Sequence, residues 1–162
     1  GRSFRNLADL AIGPNEMLYV LQRGESVHLN VSIKKCNVSE EWFGDFGVFG
    51  SEPGQMVWPA GIAIDSQQHI YVSDEWNQRV SVFDTEGNLL DEWGEEGSEE
   101  GQFNRPTGIA MIGLELFVSD SENQRFVLMT PRLRVLTTVG GREEASRFHK
   151  GGVSGGAESE GR

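Results

Sequence analysis

The sequence has little cysteine and histidine and no long hydrophobic run, and each shortage removes a class of structure or function. Cys36 is the only cysteine, so no intrachain disulfide and no cysteine-based metal cluster can form. The three histidines, His28, His69 and His149, have no second histidine at metal-ligand spacing. No apolar run approaches the ~20 residues that a membrane-spanning helix needs. We therefore expect no metal, no cofactor and no membrane span.

Basic side chains are also scarce. Only 14 Lys and Arg stand against 25 Asp and Glu, which gives a formal net charge of −11. Phosphate backbones bind basic surfaces and are repelled by acidic ones. Nucleic acid is therefore a poor partner for this chain, and a salt-sensitive gel shift would be the direct check. The acidic residues are explained by solubility and by the need to discourage pairing at sheet edges.

The most informative feature of the sequence is an internal repeat. Residues 47–59 and 94–106 share the pattern G-x-x-G-S-E-x-G-Q-x-x-x-P at an offset of 47 residues. Residues 71–79 (YVSDEWNQR) then match residues 117–125 (FVSDSENQR) at an offset of 46, and a weaker copy begins at Leu10. Each period contains four short apolar runs separated by turn residues. A period in the forties with four strand-like runs is typical of propeller blades.

The repeat predicts an all-β fold: a partial β-propeller of about three four-stranded antiparallel blades within residues 1–150. The blades are expected at approximately 7–49, 54–93 and 101–139, and the Gly-, Ser- and Glu-rich residues 151–162 are expected to form a disordered tail. A propeller ring normally needs four to eight blades. We therefore expect further blades in a longer chain or several copies to complete the ring, and an isolated chain that self-associates or is unstable.

Individual strands follow from the local patterns. Residues 7–12 form an apolar run, which predicts a buried inner strand. Apolar and polar residues alternate from Val27 to Ile33, which is the period-two pattern of a half-buried strand. Residues 133–139 are predicted as the outer strand of the last repeat, and residues 94–105 as a loop that crosses between blades.

At these residues the chain resembles the NHL repeat family. The resemblance rests on P-x-G-I-A-I-D at residues 59–65, D-x-x-N-x-R at residues 74–79 and D-x-x-G at residues 84–87. The third repeat keeps most of the pattern but has no Asp at the position of Asp65. The resemblance implies a six-bladed propeller in a complete member. It implies little about activity, because the fold hosts binding modules, sensors and a few enzymes.

One polar set occurs at equivalent positions of two repeats: Asp74, Asn77 and Arg79, and then Asp120, Asn123 and Arg125. Asp and Asn side chains bond to nearby backbone groups and lock turns, and an adjacent Arg can pair with the Asp. A set that recurs in each blade serves the blade, whereas a catalytic site usually needs unique residues. We predict that these six residues are structural turn residues.

A second group varies where the repeat frame is constant. Trp58 and Arg105 occupy the same position before the repeat's proline, and Trp76 and Glu122 lie in the following turns. Loops of this kind lie on one face of a propeller, and Trp and Arg often anchor interfaces. We predict that these four residues bind a partner. Two apolar neighbours, Met56 and Phe103, lie either on the same face or in the space between blades.

These features predict a non-enzymatic scaffold that binds a protein or peptide ligand through its loops. The alternative is a fragment of a propeller enzyme, either a metal-dependent lyase or a lactonase-like hydrolase, with its catalytic residues in other blades. Lyases that resemble this fold use metal-binding side chains in the axial channel, whereas the inner strands here are apolar. The sequence therefore predicts no catalytic residue within this chain.

Overall fold

Each sequence repeat folds into one four-stranded antiparallel sheet whose strands follow chain order. The computed structural model describes residues 4–24, 31–130 and 135–141. Blade 1 consists of β1 (Leu7–Ile12), β2 (Leu18–Gln22), β3 (Ser32–Cys36) and β4 (Trp42–Phe46). Blade 2 consists of β5 (Pro59–Ile64), β6 (Ile70–Asp74), β7 (Arg79–Phe83) and β8 (Leu89–Trp93). After a crossing that carries β9 (Glu95–Glu96) and β10 (Gln102–Phe103), blade 3 consists of β11 (Pro106–Ile112), β12 (Glu115–Asp120), β13 (Arg125–Met129) and β14 (Val135–Gly140).

The predicted all-β fold of about three four-stranded blades is confirmed. The only helix among the described residues is a single 3-10 turn, Pro14–Glu16. In the same part of the chain, no helix has the length and apolar character needed to cross a membrane. Predictions for residues 25–30 and 131–134 and for the tail at 151–162 lie outside the described residues.

The turns within a blade are closed by Asp side chains that accept backbone hydrogen bonds. At the turn between β7 and β8, the Asp84 carboxylate accepts hydrogen bonds from the N–H groups of Glu86 and Asn88 and from the Asn88 side chain. These bonds, those from Asn88 first, lower the pKa of Asp84 below its usual value. Gly87 supplies the positive φ of 88° that the turn requires. The sequence D-x-x-G therefore forms the tight turn that ends β7 and leads into β8.

The hydrophobic core lies between neighbouring blades. Strand alternation sends one set of side chains towards the preceding blade and the other set towards the following blade. The core between blades 1 and 2 is built from buried residues of both sheets and of the segments that join their strands: Ala11, Tyr19, Leu21, Val31, Ile33, Met56, Ile62, Ile70, Val72 and Phe83. The core between blades 2 and 3 has the same form: Ala63, Tyr71, Val80, Val82, Phe103, Leu116, Val118, Val127 and Met129. Both sheet faces of blade 2 are therefore covered.

The crossings between blades have regular structure that the sequence did not predict. Residues 94–105 were expected to be a loop, but β9 and β10 form a short parallel pair there. The preceding crossing has a matching parallel bridge between Phe49 and Met56. Met56 and Phe103 are buried. The prediction that they fill the space between blades is therefore correct, and the alternative prediction, that they lie on the exposed loop face, is wrong.

The burial predicted for residues 7–12 is wrong. These residues form a strand, β1, but within it only Ala11 is buried and Ile12 is 68% exposed. Ala11 faces blade 2, whereas Leu10 and Ile12 point to the opposite side of the sheet, against which no other blade among the described residues packs. The apolar run was therefore identified correctly as a strand, but burial depends on a neighbouring sheet that the local sequence does not reveal.

Candidate functional site

The loops on one face of blades 2 and 3 enclose an open cleft of about 680 Å³. Its walls come from the crossings that lead into β5 and β11 and from the turn after β6. The lining residues are Trp58, Glu75, Trp76, Gln78, Glu96, Asn104 and Arg105. Trp58 is 48% exposed and Trp76 is 71% exposed, although large aromatic side chains are usually buried. The cleft thus combines aromatic surface with both signs of charge.

One buried carboxylate positions the backbone that carries both tryptophans. Asp74 accepts hydrogen bonds from the N–H groups of Val57 at 2.7 Å and Trp58 at 3.1 Å. It also accepts bonds from the N–H groups of Trp76 and Asn77, each at 3.0 Å. The crossing before β5 and the turn after β6 are therefore tied to the same side chain. This arrangement leaves the two indole rings free to face solvent.

The equivalent position in blade 3 uses an ion pair as well. Asp120 is fully buried and accepts hydrogen bonds from the Asn104 N–H at 2.7 Å and from Asn123 Nδ2 at 2.8 Å. Arg125 Nε lies 2.7 Å from the same carboxylate. Blade 2 differs, because Arg79 pairs with Glu92 at 3.0 Å instead of with Asp74. The Arg of this motif therefore forms its ion pair with Glu92 in blade 2 and with Asp120 in blade 3.

Both arginines also hold the preceding crossing. The Arg79 guanidinium donates to the carbonyl oxygens of Glu52 and Gln55. The Arg125 guanidinium donates to the equivalent carbonyls of Glu99 and Gln102. The guanidinium groups add to the backbone hydrogen bonds within each crossing and tie the crossing to the strand that carries the Arg. The six predicted turn residues all lie in this network at the base of the loops.

Arg105 links the loops of blades 2 and 3. Its backbone has a left-handed φ of 58°, and its N–H donates to Gln78 Oε1 at 2.6 Å. Its guanidinium contacts Glu75 Oε2 at 3.0 Å and Glu122 Oε1 at 3.4 Å. Trp58, Trp76 and Arg105 therefore line one cleft, whereas the fourth predicted residue, Glu122, reaches it through Arg105.

Sequence reasoning missed five residues at this site. Glu75, Gln78, Glu96 and Asn104 line the cleft, and the guanidinium of Arg23 lies 4.8 Å from the centre of the Trp58 ring. Gln78 could have been found, because it lies inside the D-x-x-N-Q-R motif and recurs as Gln124 with the same left-handed backbone. The contact between Arg23 and Trp58 joins two blades, so the repeat pattern within one blade could not predict it.

A second polar cluster, at the turn between β5 and β6, serves the fold. Asp65 accepts a hydrogen bond from the Tyr71 hydroxyl at 3.0 Å and contacts His69 Nδ1 at 2.8 Å. Burial, and then the nearby Asp65 carboxylate, raises the pKa of Tyr71. Across the described residues, no three His, Cys, Asp or Glu side chains lie close enough together to hold a metal ion. The groups that line the loop face are aromatic, charged and amide side chains.

Comparison with known proteins agrees with the repeat pattern. The NHL repeat family model matches residues 56–83, which include β5, β6 and β7. The chain is 37% identical to Protein brain tumor of Drosophila melanogaster over 67 residues, which cover 41% of this chain and 6% of that protein. It is 36% identical to RING finger protein nhl-1 of Caenorhabditis elegans over 75 residues, which cover 46% of this chain and 8% of that protein. The chain thus spans less than a tenth of the length of either relative.

A solved structure supports the fold independently. Virginiamycin B lyase from Staphylococcus aureus superposes with a TM-score of 0.59 at 13% sequence identity. The superposition covers 84% of this chain and 41% of the lyase. At this identity the likeness concerns the fold alone. Residues 56–83 match an NHL repeat, and the repeat motifs and the blade structure make the chain similar to the NHL repeat family.

Proposed function

We propose that this chain is a non-enzymatic scaffold that binds a protein or peptide ligand in the cleft lined by Trp58, Trp76 and Arg105. The observation that carries the proposal is the exposure of two tryptophans in one cleft, with the backbone N–H of each hydrogen-bonded to the buried Asp74 carboxylate. Rigid aromatic side chains lose little conformational entropy on binding, and they are enriched among residues that dominate interface energies.

The buried polar groups near the cleft support a binding role because they are already engaged. Asp74 and Asp120 accept hydrogen bonds from the backbone N–H groups of Val57 and Asn104 in the crossings. A preorganised loop framework of this kind favours recognition, since little ordering remains to be done when the ligand binds.

The charge of the cleft favours a ligand that carries basic groups. Glu75, Glu96 and Glu122 lie at or beside the cleft, and the guanidinium groups of Arg105 and Arg23 supply two positive charges against these three carboxylates. The guanidinium of Arg23 lies 4.8 Å from the centre of the Trp58 ring, whereas the Trp76 ring is 71% exposed. A peptide with Lys or Arg beside an apolar side chain would complement the excess of carboxylates and the exposed Trp76 ring.

We expect the Trp58→Ala/Trp76→Ala double variant to bind such a peptide at least about thirtyfold more weakly than the unmodified chain, because a single aromatic hot spot carries about 2 kcal/mol or more, which is a factor of about thirty. The peptide would be selected from a displayed random library on the unmodified chain, with the double variant as counter-selection. Its affinity would then be measured by isothermal titration calorimetry at 0.15 M salt.

Phe43→Ala is the matched control for this experiment. Phe43 is 48% exposed, like Trp58, but it lies in β4 and does not line the cleft. The control should bind the selected peptide with unchanged affinity. Equal binding by the double variant and the unmodified chain, or a loss of binding in Phe43→Ala, would show that the ligand site lies elsewhere.

The fold likeness to virginiamycin B lyase favours a second candidate function. In that case the chain would form part of a metal-dependent lyase or lactonase-like hydrolase, with the catalytic residues in blades other than these three. The test is metal analysis together with turnover of virginiamycin B by the full-length protein. Bound metal together with turnover would support the enzyme, and the absence of both would favour the scaffold.

A further inference from the structure

Some binding groups of the cleft are already engaged within the protein. The carboxylates of Glu75 and Glu122 both contact the Arg105 guanidinium, at 3.0 Å and 3.4 Å. The Gln78 side chain is held in the same place, because its Oε1 accepts the Arg105 N–H at 2.6 Å. These two carboxylates therefore already have a cation, and the groups that are still available to a ligand lie elsewhere in the cleft.

Glu96 is the carboxylate of the cleft that has no cation. Its side chain is exposed and lines the cleft. Within residues 4–24, 31–130 and 135–141 it forms neither an ion pair nor a side-chain hydrogen bond. The adjacent Glu95 differs, because its Oε1 accepts a hydrogen bond from Gln102 Nε2 at 3.2 Å and it does not line the cleft. A basic ligand could therefore pair with Glu96 without breaking a contact that the protein already makes.

The two tryptophans differ in the same way. The Arg23 guanidinium lies over the Trp58 ring, 4.8 Å from its centre. The Trp76 ring is 71% exposed, and no cation of the described residues lies over it. The face of an indole ring attracts cations, and Arg uses this contact more often than Lys. Trp76 thus offers a free aromatic face in the same cleft as Glu96.

Asn104 adds a polar group to this set. Its backbone is fixed, because its N–H donates to Asp120 at 2.7 Å and its carbonyl accepts the Glu122 N–H at 3.0 Å. Its side-chain amide lines the cleft and has no hydrogen-bond partner in the part of the chain that the structure describes. The amide oxygen is therefore available to accept a hydrogen bond from a ligand N–H.

We propose that the cleft binds an arginine side chain of its peptide ligand, with the guanidinium stacked on Trp76 and paired with Glu96. The inference rests on the proposed function and names the side chain that this site recognises. A guanidinium is planar and carries five N–H donors in its plane. It lies flat on an indole ring while its edge donates to a carboxylate and to an amide oxygen such as that of Asn104.

The protein uses both contacts for its own arginines. Arg23 lies over an indole ring, and Arg105 bridges two carboxylates. A Lys ammonium is a compact and strongly hydrated charge, so it gains less from an aromatic face and a planar set of acceptors. The free groups of the cleft therefore favour Arg over Lys in the ligand.

The first test is selection of a displayed random-peptide library on the full 162-residue chain, which should enrich Arg over Lys. One selected peptide is then synthesised with its Arg, with Lys, and with citrulline, which resembles Arg in shape but has no charge. In calorimetry at 0.15 M salt, the citrulline form should bind about tenfold more weakly than the Arg form, because an exposed cation–π contact and an exposed ion pair are together worth about that factor. The Lys form should lie between them. Since a chain of net charge −11 attracts any cationic peptide, the Lys form separates recognition from general attraction.

Variants of the chain identify the residues that bind the guanidinium. Glu96→Gln should weaken the Arg form about threefold and leave the citrulline form unchanged. Glu95→Gln is the matched control, since it removes the same charge from the adjacent residue outside the cleft, and it should bind all three forms like the unmodified chain. Trp76→Leu removes the aromatic face and should weaken the Arg form about threefold more than the citrulline form. Trp58→Leu should weaken both forms equally, because Arg23 already lies over that ring.

The outcomes separate this inference from the proposed function. Glu96 and Trp76 are exposed, so circular dichroism and thermal melting should show an unchanged fold in their variants. Equal affinity for the Arg and Lys forms would overturn the inference, as would equal responses to Glu96→Gln and Glu95→Gln. In either case the proposed function would stand if the Trp58→Ala/Trp76→Ala variant lost binding. Binding that persisted in that double variant would overturn the proposed function and the inference together.

Discussion

Replacing Asp120 with alanine is expected to lower the free energy of unfolding by about 3–5 kcal/mol, because it removes one partner of a buried ion pair. The Asp120 carboxylate is fully buried and holds the Asn104 N–H, the Asn123 amide and Arg125 Nε. Without it, Arg125 keeps its charge in a site where only 12% of its side chain is exposed. Chemical denaturation followed by tryptophan fluorescence would measure the loss.

The controls separate the ion pair from the general effect of removing an aspartate. Asp91 is exposed in β8 and its carboxylate bonds only locally, so Asp91→Ala should change stability by no more than about 0.5 kcal/mol. Asp120→Asn keeps the side-chain shape and one acceptor oxygen, so it should lie between the two. If Asp120→Ala were as mild as Asp91→Ala, the D-x-x-N-x-R motif would not stabilise the blade in the manner described.

Replacing Phe103 with alanine is expected to cost about 3–5 kcal/mol of stability, which is the range for removal of a large aromatic side chain from a packed core. Phe103 is completely buried and packs edge-on against Trp93, with 5.0 Å between ring centroids. It fills the space between blades 2 and 3, so the substitution would leave a cavity at their junction. Loss of the neighbouring ring should also change the fluorescence of Trp93.

Phe43→Ala removes the same number of atoms from an exposed position and should change stability by no more than about 0.5 kcal/mol. All variants should be compared at one protein concentration, because association with a second copy would add to the measured stability. A small loss in Phe103→Ala, similar to that of Phe43→Ala, would mean that the crossing contributes little to the packing of the two blades.

The position of the cleft illustrates the limit of sequence reasoning about the site. Equivalent repeat positions indicated that Trp58 and Arg105 lie on the same face, because each directly precedes the proline that the two repeats share. The repeat did not indicate that Glu75 would bind Arg105, since this contact joins different repeats. Nor did it indicate that Arg23 would lie over Trp58. Contacts between blades depend on how two sheets are placed side by side.

The sequence by itself determined the blades. Strand length, period-two alternation and Asp- and Gly-based turns are local properties, and in blade 2 they specify four strands in chain order. Tertiary structure alone decided burial and exposure. Leu10 and Ile62 occupy equivalent strand positions in similar sequence, yet one is half exposed and the other buried. The physical reason is that the hydrophobic core of this fold lies between sheets, so whether a side chain is buried depends on whether a neighbouring blade packs against it.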